Sequence, residues 1–551
     1  MTAIPATTSE GMPIIILKEG SSQTKGKEAQ RNNITAARLV AEIVRTCLGP
    51  RGMDKMLVDT MGDVTITNDG ATLLKEIDVQ HPAGKMMVEV SKAVDNQVGD
   101  GTTSSVILAG TLIDKAEELV SKNVHPTIIV DGYRKAAVKA IEVLNRIAEK
   151  VSATDKKTLL KIANTAMLSK LVSQDSPYLS EIAIDAVSGV AEEIHGNYRI
   201  DIDDIKVEKK AGGSIKDTKL IKGIILDKEV VHGGMPKHVK NAKIALLNAP
   251  LEIEKTEFDA KINIDSPEQM KMFLDEENRM LQTMVDQIVG AGANTVICQK
   301  GIDDIAQHYL AKADILAVRR VKESDMYKLT KATGGRIVTT FEDLTEADLG
   351  TVGLVEERKV ETDKWVFIEG CKNPKAVTIL VRGGSQRVVD EAERSLHDAL
   401  MVVKDVMEKP AIVAGGGAPE ANIARNLREW ANKLSGREQL AVQKFAEALE
   451  IIPLTLSENA GMDPIDTMTE LRSKQSKGAK WTGIDVKELK VVDMMKKDII
   501  EPVSVKEQII KSASEAANMI LRIDDVIATS KSAGAGPPGG GGGMGGMPGM
   551  E

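Results

Sequence analysis

The chain has 551 residues, 42% hydrophobic and 28% charged, proportions of a soluble globular protein with room for about three to four domains. Its formal net charge of −9, with both signs interspersed, excludes the basic face of a dedicated nucleic-acid binder. Three scattered cysteines, Cys47, Cys298 and Cys371, exclude a disulfide framework or a zinc site and fit a reducing compartment.

The apolar run Ile14-Ile15-Ile16-Leu17 follows no basic region and is too short for the core of a signal peptide. No run approaches the ~18 apolar residues of a membrane helix, so a cytoplasmic protein is expected. Residues 26–48 carry Ala29, Ile34, Ala37, Val40, Ala41, Val44 and Leu48 near helical spacing, and Gly49-Pro50 stops the helix. Two β-prone runs, 55–59 and 64–67, flank Gly62-Asp63 and read as a hairpin. Helices are predicted from Ala71 and over 83–98, 102–122 and 126–150, the last punctuated by His125-Pro126. The centre changes character. Short strand-like runs at 243–247, 295–298, 315–318 and 335–338 alternate with helical patterns at 266–289, 303–313 and 325–333, which is α/β patterning. Helices return at 386–409, 419–435, 437–451 and 505–522, and residues 533–551 form a Gly/Met-rich low-complexity tail.

Gly99-Asp100-Gly101-Thr102-Thr103 is the most informative stretch. Two glycines allow a tight turn, and the threonines open a helix whose free N–H groups and positive dipole end favour an anion. A carboxylate beside such an anion fits a phosphate with Mg²⁺ between them. A helix cap after a glycine turn is the simpler reading of the same residues. Leu48-Gly49-Pro50-Arg51-Gly52 reads as a phosphate-wrapping turn or an ordinary C-cap. Asn68-Asp69-Gly70 reads as a second carboxylate at a strand-to-helix turn or a plain Asx turn. Gly415-Gly416-Gly417 feeds a helix with Pro419 in its first turn, and reads as a close backbone approach to ribose or phosphate or as a hinge.

No P-loop and no dinucleotide fingerprint occurs. The seven histidines have no metal spacing. In 386–404 the apolar stripe is Val389, Ala392, Leu396, Ala399, Leu400 and Val403. Asp398 falls on the other face with Glu391, Arg394 and Asp405, which reads as a surface ion pair with Arg394 or as a base for an attacking water. The 266–289 helix spreads Met270, Met272, Phe273, Leu274, Met280, Leu281, Met284 and Ile288 beyond one stripe. That suits either a buried helix or promiscuous apolar contact.

As an ordered set, Leu48-Gly49-Pro50-Arg51-Gly52-Met53-Asp54-Lys55-Met56, Thr67-Asn68-Asp69-Gly70-Ala71-Thr72, Gly99-Asp100-Gly101-Thr102-Thr103-Ser104 and Ala414-Gly415-Gly416-Gly417 resemble the group II chaperonins of the archaeal thermosome type. Val124–Thr127, Cys298–Asp304, Gly436–Ala441, Leu521–Asp525 and the Gly/Met tail extend the resemblance over about residues 13–551.

The resemblance implies a multidomain α plus α/β fold. A mostly helical equatorial ATPase domain would comprise residues 1–150 and 406–530, and an intermediate hinge domain 151–217 and 371–405. An apical domain would comprise 218–370, with a protrusion near 255–290 acting as a built-in lid, and 531–551 would be a flexible tail. Identical or related subunits would form a double ring that uses ATP and Mg²⁺, releases ADP and encloses nonnative proteins. No separate cap protein, nucleic acid or membrane partner is expected.

By resemblance, Asp100 is the Mg²⁺ ligand. Gly101, Thr102, Thr103 and Ser104 hold phosphate, with Leu48, Gly49, Pro50 and Asn68 across from them. Asp69 and Asp398 flank the attacking water, while Gly416, Gly483, Asp485 and Glu501 surround ribose and adenine. Lys170 matches a γ-phosphate-sensing lysine, although Leu168-Ser169-Lys170-Leu171-Val172 lacks the glycine usually beside it. Rival readings are a metabolic ATP-dependent enzyme and a nucleotide-regulated ring scaffold without foldase activity.

Overall fold

The computed structural model describes residues 6–7, 13–14, 21–170, 172–253, 266–372 and 374–529. The tail at 531–551 and part of the expected protrusion, 254–265, lie outside the described residues.

Two large hydrophobic cores divide the described chain. One runs from Ile34 to Ile205 and resumes from Val377 to Leu521, so the two ends of the chain build a single core. The other lies wholly between Ile224 and Ala376. With five Phe, three Trp and five Tyr in the chain, Val, Ile, Leu, Ala and Met fill both cores.

The first core is helical. The helices Gly26–Arg45, Pro82–Val98, Thr102–Val120, Pro126–Ile147, Arg437–Leu449 and Val503–Leu521 pack together. Thr102–Val120 lies at the centre, and its first three turns are buried nearly all round, as a helix with neighbours on every side must be. The chain ends are tied by an antiparallel pair, Ser21–Lys25 with Asp525–Thr529, in which Lys25 opposes Asp525. The predicted hairpin forms as Lys55–Val58 against Val64–Thr67, a two-stranded sheet of its own with Met56 and Val58 exposed.

The second core surrounds a seven-stranded mixed sheet. His238–Leu247, Thr295–Cys298 and Leu316–Val318 are parallel neighbours joined by the crossover helices Pro267–Gly290 and Asp304–Lys312. Gly350–Val360, Asp363–Glu369 and Gly223–Leu226 extend it as antiparallel strands. These three antiparallel strands were absent from the sequence expectation. Lysines and glutamates interrupt their apolar alternation, as at Glu356-Glu357-Arg358-Lys359, where Arg358 pairs with Glu356 along its own strand and with Glu369 on the neighbouring one.

Val377–Gly383, which gives Val377, Ile379 and Val381 to the first core, runs parallel to Ile205–Ala211 and antiparallel to Lys219–Ile221. The helices Lys156–Met167 and Ser176–Val190, also unpredicted, pack beside it with Gln386–Glu408. The architecture is the multidomain α plus α/β arrangement expected. Among the described residues, no helix is long and apolar enough to cross a membrane.

Candidate functional site

A cleft opens where the glycine turns converge. Its walls include Leu48, Gly49, Pro50, Asn68, Asp69, Asp100, Gly101, Thr102, Thr103, Ser104, Lys170, Gly416, Asp485 and Glu501. Residues more than 400 positions apart in sequence thus share one site. Gly483 and Asp398 stand behind the wall rather than on it. A Cβ at Gly483 would lie 2.8 Å from the Gly416 carbonyl oxygen. Asp398 is buried in contact with Lys170, which lines the cleft.

The Gly99-Asp100-Gly101 turn has φ +70° at Gly99 and +82° at Gly101, the left-handed region that glycine enters without strain. Both glycines also make room for neighbouring protein. A Cβ at Gly101 would stand 2.5 Å from Ile509 Cδ1, and one at Gly99 would stand 2.5 Å from Met401 Cβ. The helix Gln386–Glu408 therefore seats directly against this turn, and that contact delivers Asp398 to the site. Asp100 Oδ1 accepts the Gly101 N–H at 2.6 Å, which fixes the carboxylate at the mouth of the Thr102–Val120 helix. The first bond of that helix runs from the Ser105 N–H to the Gly101 carbonyl, so the N–H groups of Thr102, Thr103 and Ser104 precede its ladder.

A second helix start meets the first. Asp69 caps Gly70–Glu76 by accepting the Thr72 N–H at 2.9 Å. A Cβ at Gly70 would lie 2.9 Å from both Thr103 N and Thr103 Cα. Two helix N-termini thus point their dipoles into one cleft, an arrangement that favours a polyanion. Asn68 Nδ2 donates to the Ser169 carbonyl at 2.5 Å and anchors the loop that carries Lys170. Asn459 Nδ2 donates to the Leu48 carbonyl at 2.9 Å and holds the Leu48-Gly49-Pro50 turn opposite.

Lys170 is buried between two carboxylates, with Nζ 3.3 Å from Asp69 Oδ1 and 3.1 Å from Asp398 Oδ2. Burial disfavours its charge, but the Asp398 and Asp69 carboxylates outweigh burial and hold its pKa above the usual lysine value. The two acids then diverge. Burial pushes Asp69 up, but Lys170 and the Thr72 N–H reverse that and leave it below the usual carboxylate range. Asp398 lacks the backbone donor, and burial keeps it well above that range despite Lys170. Asp398 is therefore the more basic of the pair.

The surface ion pair with Arg394 does not form. Arg394 binds Glu391 with contacts of 2.7 and 3.0 Å, and Glu391, Asp398 and Asp405 are all buried. The polar face of Gln386–Glu408 is a second buried face, turned toward the cleft and its surroundings.

The far end of the cleft comes from two adjacent strand-to-helix turns. Ala411–Ala414 pairs with Ile500–Pro502, placing Val413 opposite Glu501. The Gly416 carbonyl accepts the Ile484 N–H at 2.9 Å, and a Cβ at Gly416 would sit 2.8 Å from the Ile484 oxygen, so this turn requires glycine. Asp485 Oδ1 accepts the N–H groups of Lys487 and Glu488 at 2.9 and 3.1 Å and shapes the next turn. Burial raises the Glu501 carboxyl above its usual range in spite of Lys506.

Lys506 was missed by the sequence reading, although it lines the cleft. One signal was available: a lysine in the first turn of the Val503–Leu521 helix opposes the helix dipole and needs a specific anionic partner.

The donor set fits a magnesium nucleotide. Among the described residues, no group of three or more His, Cys, Asp or Glu could hold a metal by itself. Asp100 alone, facing a nest of N–H groups, matches an ion that takes one or two carboxylates and completes its shell with phosphate oxygens and water.

Residues 40–531 match the model of the TCP-1/cpn60 chaperonin family. A thermosome subunit of Pyrococcus horikoshii is 58% identical over 521 residues, 95% of each chain. The thermosome subunit beta of Archaeoglobus fulgidus is 57% identical over 543 residues, covering 98% of this chain and 99% of that one. The alpha subunit of the same organism is 57% identical over 521 residues, covering 95% and 96%. The chain belongs to the TCP-1/cpn60 chaperonin family, as a group II subunit of the thermosome type.

Proposed function

We propose that the chain is one subunit of an ATP-dependent double-ring chaperonin, whose cleft hydrolyses ATP to ADP and phosphate to drive a change of shape around nonnative protein. The observation that carries this reading is the Lys170–Asp398 contact at the mouth of two helix N-termini, within a family of chaperonins.

In this reading the N–H groups of Thr102, Thr103 and Ser104 bind phosphate, with Leu48, Gly49, Pro50 and Asn68 opposite. Gly416, Gly483, Asp485 and Glu501 surround ribose and adenine. Asp100 holds Mg²⁺, which supplies charge neutralisation at the phosphates when bound. Asp398 accepts the proton of the attacking water as its oxygen bonds to the γ-phosphorus and the bond to the β-phosphate oxygen breaks. Asp69 stays ionised and orients that water. Lys170 keeps the two carboxylates together and lies on the loop between the helices Lys156–Met167 and Ser176–Val190.

In this reading the first core is shared by two domains. The helical core from both chain ends serves as the equatorial ATPase domain, the segments around the Val377–Gly383 sheet as the intermediate hinge, and the mixed-sheet core as the apical domain. Conformational energy comes from differential binding of nucleotide states, not from chemistry on the client. The Pro267–Gly290 helix supports client capture and lid formation without a separate cap. Its core contacts are Leu281, Val285 and Ile288, while Met270, Met272, Phe273 and Leu274 are exposed. Identical or related subunits complete the ring.

Refolding of a denatured client with and without ATP, on protein whose assembly is measured by native mass spectrometry, tests the reading. An assembly of ring mass and ATP-dependent recovery are expected. A monomer, or recovery indifferent to ATP, overturns it.

A further inference from the structure

The cleft is backed by a buried ion chain that phosphate chemistry leaves unexplained. Lys506 Nζ lies 2.6 Å from Glu501 Oε2 and 2.8 Å from Glu420 Oε1, and the Lys506 and Glu420 side chains are both more than nine-tenths buried. Glu420 Oε2 is buried without a hydrogen-bond partner. Burying two carboxylates on one ammonium is costly unless their placement serves a purpose, because the chain of three keeps a net negative charge away from water.

Topology explains how the three meet. Glu420 sits in the first turn of the Ala418–Ala431 helix, directly after the glycine loop. Lys506 sits in the first turn of Val503–Leu521, directly after the strand that carries Glu501. The two strands are hydrogen-bonded neighbours, so the helix starts lie side by side. Gly415 completes the arrangement: a Cβ there would stand 2.7 Å from Glu501 Oε1. The Glu501 carboxylate is thus held at one oxygen by the ammonium, with its other oxygen over a position that only glycine leaves open.

We infer that Lys506, tethered by Glu420, is a positioning residue that fixes the Glu501 carboxylate as the acceptor for the ribose hydroxyls, and so sets the preference for ribo- over deoxyribonucleotides. This rests on the assignment of Glu501 to the ribose. A carboxylate held by one ammonium keeps lone pairs for hydroxyl donors, and a fixed acceptor rejects a ligand lacking the hydroxyl more strongly than a mobile one.

The test uses the assembled full-length protein and titration calorimetry at neutral pH with ADP and 2′-deoxy-ADP. The wild type is expected to prefer ADP by roughly 10- to 100-fold, the worth of a hydrogen bond to a charged group. Lys506→Met should reduce that preference to within about threefold, chiefly by weakening ADP, and Lys506→Arg should restore part of it. Glu420→Gln should shift the preference the same way by less, and it serves if Lys506→Met fails to assemble. Glu501→Gln tests the underlying assignment. If it leaves the preference unchanged, the ribose reading fails. If Glu501→Gln lowers the preference while Lys506→Met and Glu420→Gln keep it, or weaken both ligands equally, the positioning role is overturned and the ion chain is only structural.

Discussion

Lys170 Nζ stands 3.1 Å from Asp398 Oδ2, and both side chains are more than nine-tenths buried. The lysine arrives on a loop that follows Lys156–Met167, the aspartate on a helix that begins more than 200 residues later. One ammonium shared by Asp398 and Asp69 keeps both acids in a dry site yet leaves them unequal, because only Asp69 also accepts a backbone N–H. Under the proposed function that asymmetry distinguishes Asp398 as the base from Asp69 as the orienting carboxylate.

Asp398→Ala should lower ATP hydrolysis by about 100-fold or more, the usual worth of a general base, while the dissociation constant for ATP stays within a few-fold. Phosphate release and equilibrium binding on the same preparation measure the split. Turnover near wild type would remove Asp398 from the chemistry.

Lys170→Met should destabilise the protein by roughly 3–5 kcal/mol, because it strands two buried carboxylates without their cation. Adding Asp398→Asn should recover part of the loss, since the two sites share one interaction. Thermal unfolding of the two single variants and the double variant forms the cycle. Strict additivity would argue against the shared cation.

Gly70→Ala should separate the two helix starts, because the new Cβ would fall 2.9 Å from the Thr103 backbone, which cannot swing aside. A loss of about 1–3 kcal/mol is the usual cost of such overpacking, and nucleotide affinity should fall with it. An unchanged ADP affinity would show that the spacing of the helix starts does not govern phosphate binding.

Asp405 supplies a pH signature. Burial pushes its carboxyl up to about 7, only partly offset by the Ser504 hydroxyl that donates to it at 3.1 Å. The folded state thus binds a proton that the unfolded chain releases near pH 4. The contribution is complete below that value and is lost as pH rises through about 7, amounting to about 4 kcal/mol at most. Asp405→Asn should abolish that loss, so its stability advantage over the wild type should grow between pH 5 and 8. Denaturant midpoints against pH that run parallel for the two proteins would contradict it.

The Gly99–Thr103 turn, the hairpin at 55–67 and the helix limits near Pro82, Pro126 and Pro267 were legible because glycine, proline and period-3.6 stripes act within a few residues. The helices Lys156–Met167 and Ser176–Val190 and the three antiparallel strands of the mixed sheet were not. Their patterns are short or broken by charge, and each is stabilised by neighbours distant in sequence. Asp398 is the sharpest case. Periodicity placed it correctly opposite the main apolar stripe, but a polar face reads as solvent-facing unless something covers it. Gly99, by having no Cβ beside Met401, brings that cover into contact.

By itself the sequence determined the helix starts, the glycine turns and the ordered motif set that marks the family, since each depends on the conformational limits of a few adjacent residues. Tertiary structure alone decided which of Asp69 and Asp398 is the more basic, that Asp398 avoids Arg394, and that Lys506 joins Glu420 to Glu501. Those outcomes depend on burial and on charges brought within about 3 Å, from more than 200 residues apart for Lys170 and Asp398 and from 86 apart for Lys506 and Glu420. Electrostatic energy at that range is set by distance and desolvation, and neither quantity exists until the chain ends have closed into one core.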